Sequence, residues 1–219
     1  MRAKIKLVII LTLGAFAANA QYSPFSFGLK ASPQINWMKP NADFIQGNGA
    51  KIGFSWGFIA EKNFSENYSI NTGFNMLFNG GKLKISNSVN GAVTSITNRN
   101  YFFKYIEVPF TLKMRTNPIN GIRYFGRIGL GTAFKISSKS IDEVTTIGGA
   151  TITKTKANYD KISFARESLM IGVGGEYQLN EGPKLGLELT FNNGFTNILT
   201  EKNEKAMPNS VELAFSIIF

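Results

Sequence analysis

The sequence predicts an all-β fold, an eight-stranded antiparallel up-and-down barrel, and three observations lead to this prediction. Eight segments alternate apolar and polar side chains with a period of two residues, as strands with one apolar face do. The connections between these segments are alternately short and long. After Ala20, no stretch shows the sustained 3.6-residue periodicity of a helix. A chain of 219 residues has the length of one compact domain or of a single barrel.

Residues 1–20 are predicted to be a cleaved secretory signal peptide, and residues 21–219 to be the barrel domain. Three basic residues in 1–6 precede an apolar run at 7–18, and the segment ends in Ala-Asn-Ala, a small-x-small cleavage pattern. The apolar run has about 12 residues, whereas a spanning helix needs about 20. The alternative is an uncleaved N-terminal anchor, and the short run argues against it.

The first four strands each carry one apolar face. In 25–37 the odd positions are mostly apolar, and the residues between them are Ser, Gly, Lys, Gln or Asn. In 52–60 the even positions read Ile, Phe, Trp, Phe and Ala, and in 68–78 they read Tyr, Ile, Thr, Phe, Met and Phe. In 106–114 they read Ile, Val, Phe, Leu and Met. This alternation predicts a strand in each segment.

The second four strands continue the pattern. In 122–135 apolar even positions alternate with Arg, Gly and Lys, and in 169–179 the odd positions carry Leu, Ile, Val, Tyr and Leu. In 185–192 the odd positions read Leu, Leu, Leu and Phe, and in 211–219 they read Val, Leu, Phe, Ile and Phe. The predicted strand count is therefore eight.

The connections indicate a barrel that crosses a membrane. Long polar connections lie at 38–50, 80–100, 136–161 and 197–209, and short ones at 62–67, 116–121 and 180–183. Short turns on one side and long loops on the other are typical of an outer-membrane β-barrel. An even number of strands places both termini on the short-turn, periplasmic side. The predicted class is therefore a transmembrane β-barrel of the outer-membrane type.

Which face points outward is the remaining question, because soluble barrels also alternate. The non-apolar face is rich in Gly, Ser, Asn and charge, which suits a narrow lumen. Aromatic residues lie towards segment ends, as an interfacial girdle requires; they are Phe25, Trp37, Tyr68, Phe78, Tyr177 and Phe219. Phe219 also ends an amphipathic strand, and we expect it to act as the signal for the barrel-insertion machinery. A soluble periplasmic lipid-binding barrel, with an apolar interior, stays open as an alternative.

The polar face supplies a candidate network of charges inside the lumen. Its members are Lys30, Glu107, Lys113, Arg123, Arg127, Glu176, Glu188 and Glu212. Opposite charges in a confined space are expected to pair across strands, because an isolated buried charge is costly. Eight strands enclose a lumen that side chains fill, so a polar plug is favoured over a proton or ion path, and a diffusion porin is not expected.

Composition excludes most familiar catalytic chemistry. The chain has no cysteine and no histidine. It therefore lacks thiolate nucleophiles, the commonest general base and the commonest metal ligand. An enzyme of the outer membrane is an alternative that would need a Ser–Lys pair or paired carboxylates, for which Asp142 and Glu143 are the only adjacent acids. We expect no catalytic, cofactor-binding or metal-binding residues and no cofactor.

Several motifs of the mature chain resemble the Bacteroidetes outer-membrane β-barrel family whose best-known members are called PorT. They are Phe-Ser-Phe-Gly-Leu-Lys-Ala at 25–31, Tyr-Ile-Glu-Val-Pro-Phe-Thr-Leu-Lys at 105–113, Gly-Leu-Gly at 129–131, Gly-Val-Gly-Gly-Glu-Tyr at 172–177 and Asn-Gly-Phe-Thr-Asn-Ile at 193–198. The resemblance implies an integral outer-membrane barrel. For members named PorT it also implies a part in type IX secretion and gliding. The family offers no motif of functional residues to transfer, and Pro109 is interpreted as a bulge or an unpaired amide position.

The expected function is that of a non-enzymatic outer-membrane barrel, structural or accessory to secretion or surface assembly, whose long loops form the interaction surface. Lysines make the third loop region basic, namely Lys135, Lys139, Lys154, Lys156 and Lys161. Expected partners are outer-membrane lipid or lipopolysaccharide, the insertion machinery and secretion-system components, with no nucleic acid. The barrel is expected to be monomeric, because closure leaves no strand edge to pair.

Overall fold

The computed structural model describes residues 24–89, 92–156, 159–180, 182–200 and 204–219. The predicted signal peptide lies outside these residues. The described residues form ten strands: β1 (Phe25–Pro40), β2 (Ile45–Gly47), β3 (Lys51–Asn63), β4 (Tyr68–Val89), β5 (Ala92–Arg115), β6 (Ile122–Thr146), β7 (Thr151–Lys156), β8 (Ala165–Gln178), β9 (Lys184–Gly194) and β10 (Ala206–Ile218). None of the described residues belongs to a helix of the length and apolarity needed to cross a membrane.

Eight of these strands close into an antiparallel ring, which confirms the predicted fold class. The ring runs β1, β3, β4, β5, β6, β8, β9, β10 and back to β1, while β2 pairs with β4 and β7 with β6. At the closure, the backbone N–H of Phe27 donates to the carbonyl of Phe219 at 3.2 Å, and the N–H of Phe219 donates back at 2.7 Å. Each ring strand contains one predicted segment to within one residue.

The ring has two unlike ends. At the turn end lie the start of β1 at Phe25 and the end of β10 at Ile218. The same end carries the short connections at 64–67, 116–121 and 179–183. The loop end carries the four connections that the sequence predicts to be long. One is much shorter than predicted, since β4 and β5 extend until only residues 90–91 separate them. The connection after β6 is shorter because β6 runs on to Thr146, and the last connection ends earlier because β10 begins at Ala206.

Burial shows which face of the strands points inward. In the 25–36 part of β1 and the 106–115 part of β5 the burial pattern alternates strictly, with polar side chains such as Gln34 and Glu107 inside and apolar ones such as Leu29 and Phe110 outside. Glu107 is 0% exposed, whereas Phe110 is 63% exposed. A soluble lipid-binding barrel needs the reverse arrangement. The exposed apolar side chains form a band around the ring that suits the hydrocarbon core of a membrane.

The strands extend beyond their predicted ends, and the hydrophobic alternation changes phase where they leave this band. In β4, Phe74 and Phe78 point outward, but beyond them Leu83 and Ile85 point inward while Lys82 and Lys84 face out. The strand continues in register across the change. Beyond the band, water surrounds the strands, so the ordinary rule of apolar side chains inside applies again.

Pro109 lies at a break in the ladder between β4 and β5. Asn71 pairs with Thr111 and Asn75 with Glu107, and the pairing is interrupted between them. Counting in register, Gly73 stands opposite Pro109, and Gly73 has a φ of 135°. Proline has no N–H to donate, so the position is an unpaired amide, one of the two interpretations that the sequence left open.

Candidate functional site in the barrel interior

Polar side chains fill the interior, and near the turn end four charges form one cluster. Lys113 Nζ donates to Glu61 Oε1 at 2.7 Å, and Arg115 Nη2 donates to Glu61 Oε2. Both cations also donate to Glu176, Arg115 through Nε at 3.2 Å. Asn71 adds an amide hydrogen bond to Glu61 at 2.9 Å. Two carboxylates and two cations balance, so this cluster is a neutral buried network.

Halfway up the barrel, Arg127 and Glu188 form a second pair. Arg127 Nη2 lies 2.7 Å from Glu188 Oε1, and its Nε donates to the same oxygen at 2.8 Å. The hydroxyl of Thr190 donates to that carboxylate at 2.8 Å. Lys30 and Glu212 point into the same region and are 8% and 2% exposed. A cavity of about 20 Å³ beside Lys30 and Arg127 has room for about one water molecule.

Nearer the loop end, Glu107 is held by neighbours from three strands. Asn75 donates to it at 3.0 Å and Asn192 at 3.3 Å. The guanidinium of Arg166 lies 3.8 Å from the same carboxylate and 5.2 Å from the ring centre of Tyr105. Charged side chains from different strands therefore meet across the interior at the turn end, in the middle and beside Glu107.

An apolar plug closes the loop end above these charges. It joins side chains of β4 and β5 to side chains of the loop-end connections, and it comprises Met38, Ile45, Leu77, Leu83, Ile85, Tyr101, Phe103, Tyr105, Ala133, Tyr159, Ile162, Ile198, Leu199 and Ala206. Residues from 42–45, 159–162 and 198–199 thus fold over the mouth of the barrel. Burying them against the strands stabilises the closed loop end by the hydrophobic effect.

Arg99 anchors a polar group on top of this plug. Its Nε donates to Asp142 Oδ1 at 2.9 Å, and its Nη1 donates to the hydroxyl of Tyr159 at 2.8 Å. Glu204 lies 3.5 Å from the same nitrogen. Burial opposes the charge of Arg99, but Tyr101, Asp142 and Tyr159 together raise its pKa, and burial raises the pKa of Tyr101 to about 12. This group ties β5, β6 and two loop-end connections together.

The structure places the predicted lumen charges in different parts of the interior. Lys113 and Glu176 belong to the turn-end cluster, and Arg127, Glu188, Glu107, Lys30 and Glu212 lie above it. Arg123 differs, because it is only half-buried and its Nη1 donates to the backbone carbonyl of Glu66 in a turn, at 3.4 Å. The interior network is therefore three separate groups of contacts.

Five interior charges escaped the sequence analysis. Glu61 and Arg115 each lie one residue beyond a predicted strand, and continuing the alternation by that residue places both on the polar face. Arg166 precedes a predicted strand, and Arg99 and Asp142 fall in predicted loops. All five are buried. The change of phase described above is the signal that identifies Arg99 and Asp142 as interior residues.

Asp142 and Glu143, the adjacent acids, do not share a face. Asp142 is 4% exposed and pairs with Arg99, while Glu143 is exposed on the opposite face of β6. Successive residues of a strand point to opposite sides, so the two carboxylates cannot work as a pair. Among the described residues, no group of three or more acidic side chains is arranged to hold a metal ion.

The other predicted sites lie on the outside. Phe219 is 43% exposed at the turn end, and its role as an insertion signal stays a prediction. Of the basic third loop region, Lys135 Nζ donates to the carbonyl of Ile162 at 2.6 Å, and Lys139, Lys154 and Lys161 are exposed. The side chain of Lys156 is outside the described part of the structure.

A closed antiparallel ring with an apolar outside and a charged inside defines an integral outer-membrane β-barrel. The chain belongs to the outer membrane protein beta-barrel domain family, whose family model matches residues 17–200.

Several solved outer-membrane barrels resemble the chain in fold. Neisserial surface protein A is 13% identical, covering 90% of this chain and 96% of that one, with a TM-score of 0.48. OprG from Pseudomonas aeruginosa is 10% identical over 91% and 98% of the two chains, with a TM-score of 0.48. Ail of Yersinia pestis is 12% identical over 89% and 97%, with a TM-score of 0.41. No curated protein matches the chain.

Proposed function

We propose that this outer-membrane barrel is non-enzymatic and closed to diffusion, and that it acts at the cell surface through its loop end. The observation that carries the proposal is the division of the interior. Charged side chains occupy the interior of the membrane-spanning part, and the apolar cluster covers the loop end. A barrel filled in this way serves as a rigid support, and exposed elements on a rigid scaffold commonly carry function.

The working surface in this proposal is the sheet that rises beyond the apolar band. It consists of the extended parts of β4, β5 and β6 with β2 and β7 at its sides. The plug and the Arg99 group hold it in a fixed position. The more specific role is that of an accessory to secretion or surface assembly, related to type IX secretion as the PorT resemblance implies, with secretion-system components as partners.

The secretion role is tested by comparing the secreted proteins of a strain lacking this chain with those of its parent. Loss of type IX cargo from the medium and the surface is the expected result. An unchanged profile refutes the secretion role. Steady ion conductance by the purified barrel in a planar lipid bilayer contradicts the closed interior, since we expect no conductance above that of the lipid alone.

The role of the loop end is tested with a shortened variant. Lys82 and Asn100 are cross-strand partners, so an Asn-Gly turn can join them in place of 83–99. We expect this variant to insert into the membrane but not to restore cargo secretion when it is expressed in the deletion strain. A matched control replaces the turn 180–183 at the other end by Asn-Gly and is expected to restore it. Full restoration by the shortened variant contradicts a function in the raised sheet.

A further inference from the structure

The outer wall carries a groove at the border between the apolar band and the raised sheet. The groove has a volume of about 410 Å³ and is lined by Lys51, Phe78, Phe102, Lys104, Ser137 and Lys139 among others. This volume lies within the range of small-ligand sites. Most of the lining side chains point outward, while Asn79, Phe103 and Ser138, whose side chains are buried, also border the groove.

Lys51 reaches this groove because a neighbouring glycine leaves space. A Cβ on Gly80 would lie 3.2 Å from Lys51 Cδ, so the lysine stem packs across β4 where a side chain would otherwise stand. Its Nζ donates to the carbonyl of Tyr101 at 2.7 Å and lies over the ring of Phe102. The ammonium group is thus fixed at one wall of the groove.

The groove lies in a zone of uncompensated positive charge. Four lysines lie near this level of the wall, namely Lys51, Lys82, Lys104 and Lys139. In the described part of the chain none of them forms an ion pair, in contrast to the paired Lys113 and Arg127 of the interior. The positive charges of Lys51 and Lys82 repel each other. An anion in the groove would relieve this repulsion.

The height of the groove relates it to the membrane surface. At its membrane side, the lining residues Ile52 and Phe78 are exposed, Ile52 to 84%, and the neighbouring Phe54 is exposed as well. Apolar and aromatic side chains of this kind contact acyl chains, and lysines at the end of such a band place their ammonium groups among polar headgroups. Lys104 Nζ, 5.8 Å from the ring centre of Phe78, bridges the two zones.

We propose that this groove binds the phosphate of a phosphorylated glycolipid of the outer leaflet. Lys51, Lys104 and Lys139 supply the positive charge, and the acyl chains of the lipid pack along Ile52, Phe54 and Phe78. Ammonium groups bind phosphate as point charges, and they bind more strongly where water is partly excluded. The site is independent of the secretion role proposed above.

The test measures how much lipid A stays bound to the purified barrel. Full-length protein is placed in phosphatidylcholine nanodiscs that contain bis-phosphorylated lipid A, extracted, and analysed by mass spectrometry for lipid A per barrel. We expect Lys104→Gln with Lys139→Gln to lower retention about tenfold, which corresponds to about 1.4 kcal/mol. Lys139→Gln alone should lower it less. The matched control is Lys62→Gln with Lys154→Gln, two exposed lysines outside the groove.

Two further arms identify the ligand. Wild-type barrel offered lipid A without phosphates should retain about as little as the double variant does. Inorganic phosphate added to the nanodiscs that contain lipid A should leave the amount of lipid A retained per barrel unchanged. The proposal is overturned if the double variant retains lipid A as the wild type does, if the dephosphorylated lipid binds equally well, or if inorganic phosphate displaces the lipid. Heat-dependent migration on gels checks that all variants are folded.

Discussion

Replacing Glu61 by Gln tests whether the turn-end cluster acts as one neutral network. Glu61 is 1% exposed and accepts hydrogen bonds from Asn71, Lys113 and Arg115. The substitution keeps the shape of the side chain but removes its negative charge. Lys113 and Arg115 then share Glu176 alone, and the buried cluster carries one unpaired positive charge.

The size of the effect follows from these contacts. Removing one partner of a buried ion pair costs about 3–5 kcal/mol. Gln can still accept a hydrogen bond from Lys113, but its amide NH₂ then faces the Arg115 donor, so we expect a loss of about 3 kcal/mol. Adding Lys113→Met removes the excess charge. The double variant is therefore expected to recover at least about 1 kcal/mol relative to the sum of the single changes.

The assay is reversible urea unfolding in lipid vesicles, followed by tryptophan fluorescence and by the shift in gel migration between folded and unfolded barrel. Glu66→Gln is the matched control, because Glu66 is exposed in a turn close to the same cluster and should change stability by less than about 0.5 kcal/mol. If Glu61→Gln and Glu66→Gln have equal effects, the turn-end cluster does not contribute to stability as a network.

Three further predictions address single positions. Gly73→Val should lower the free energy of unfolding by at least about 2 kcal/mol in the same assay, because Gly73 has a φ of 135° and an added Cβ would meet the carbonyl of Phe58. Gly126→Ala should be nearly neutral, because the space around Gly126 is open. Asp142→Asn should increase hydrogen exchange and proteolysis at the loop end by removing one of the charged partners of Arg99, whereas Glu143→Gln should not. Burial raises the pKa of Tyr101 to about 12, so its contribution to stability should be complete below pH 10 and should be lost as the pH rises from 10 to 12. In an absorbance titration, the difference between wild type and Tyr101→Phe should show the phenolate of Tyr101 forming near pH 12 and not near pH 10.

Each of these predictions has a contradicting outcome. Equal stability of the two glycine variants would mean that the backbone at Gly73 relaxes without cost. Equal exchange for the two acidic variants would mean that the faces of β6 are assigned wrongly beyond the membrane. A phenolate step at pH 10 for Tyr101 would mean that water reaches its hydroxyl.

The strands and their two faces were predictable because alternation is a local property. A residue and its neighbours two positions away share a face whatever the rest of the chain does. Glu107, Arg127, Glu176 and Glu188 were therefore assigned to the polar face before any pairing of strands was known. Extending two predicted segments by one residue past their last apolar position places Glu61 and Arg115 on the polar face by the same rule.

The raised sheet was not predicted because polar composition was interpreted as loop. Tyr101, Phe103 and Tyr105 alternate as regularly as the residues of the membrane part, but on the opposite set of positions. A change in the surroundings, from lipid to water, inverts which face is apolar while the backbone stays extended. Composition alone does not distinguish such a strand from a polar connection.

By itself, the sequence determined that this protein is an all-β chain of eight amphipathic strands with a charged face and an apolar face. Only the tertiary structure decided which charges meet. Glu61 contacts Lys113 and Arg115, which are 52 and 54 residues away along the chain, and Lys51 crosses Gly80 to reach the outer groove. These contacts depend on the register of each strand and on the closure of the ring, and both are properties of all eight strands together.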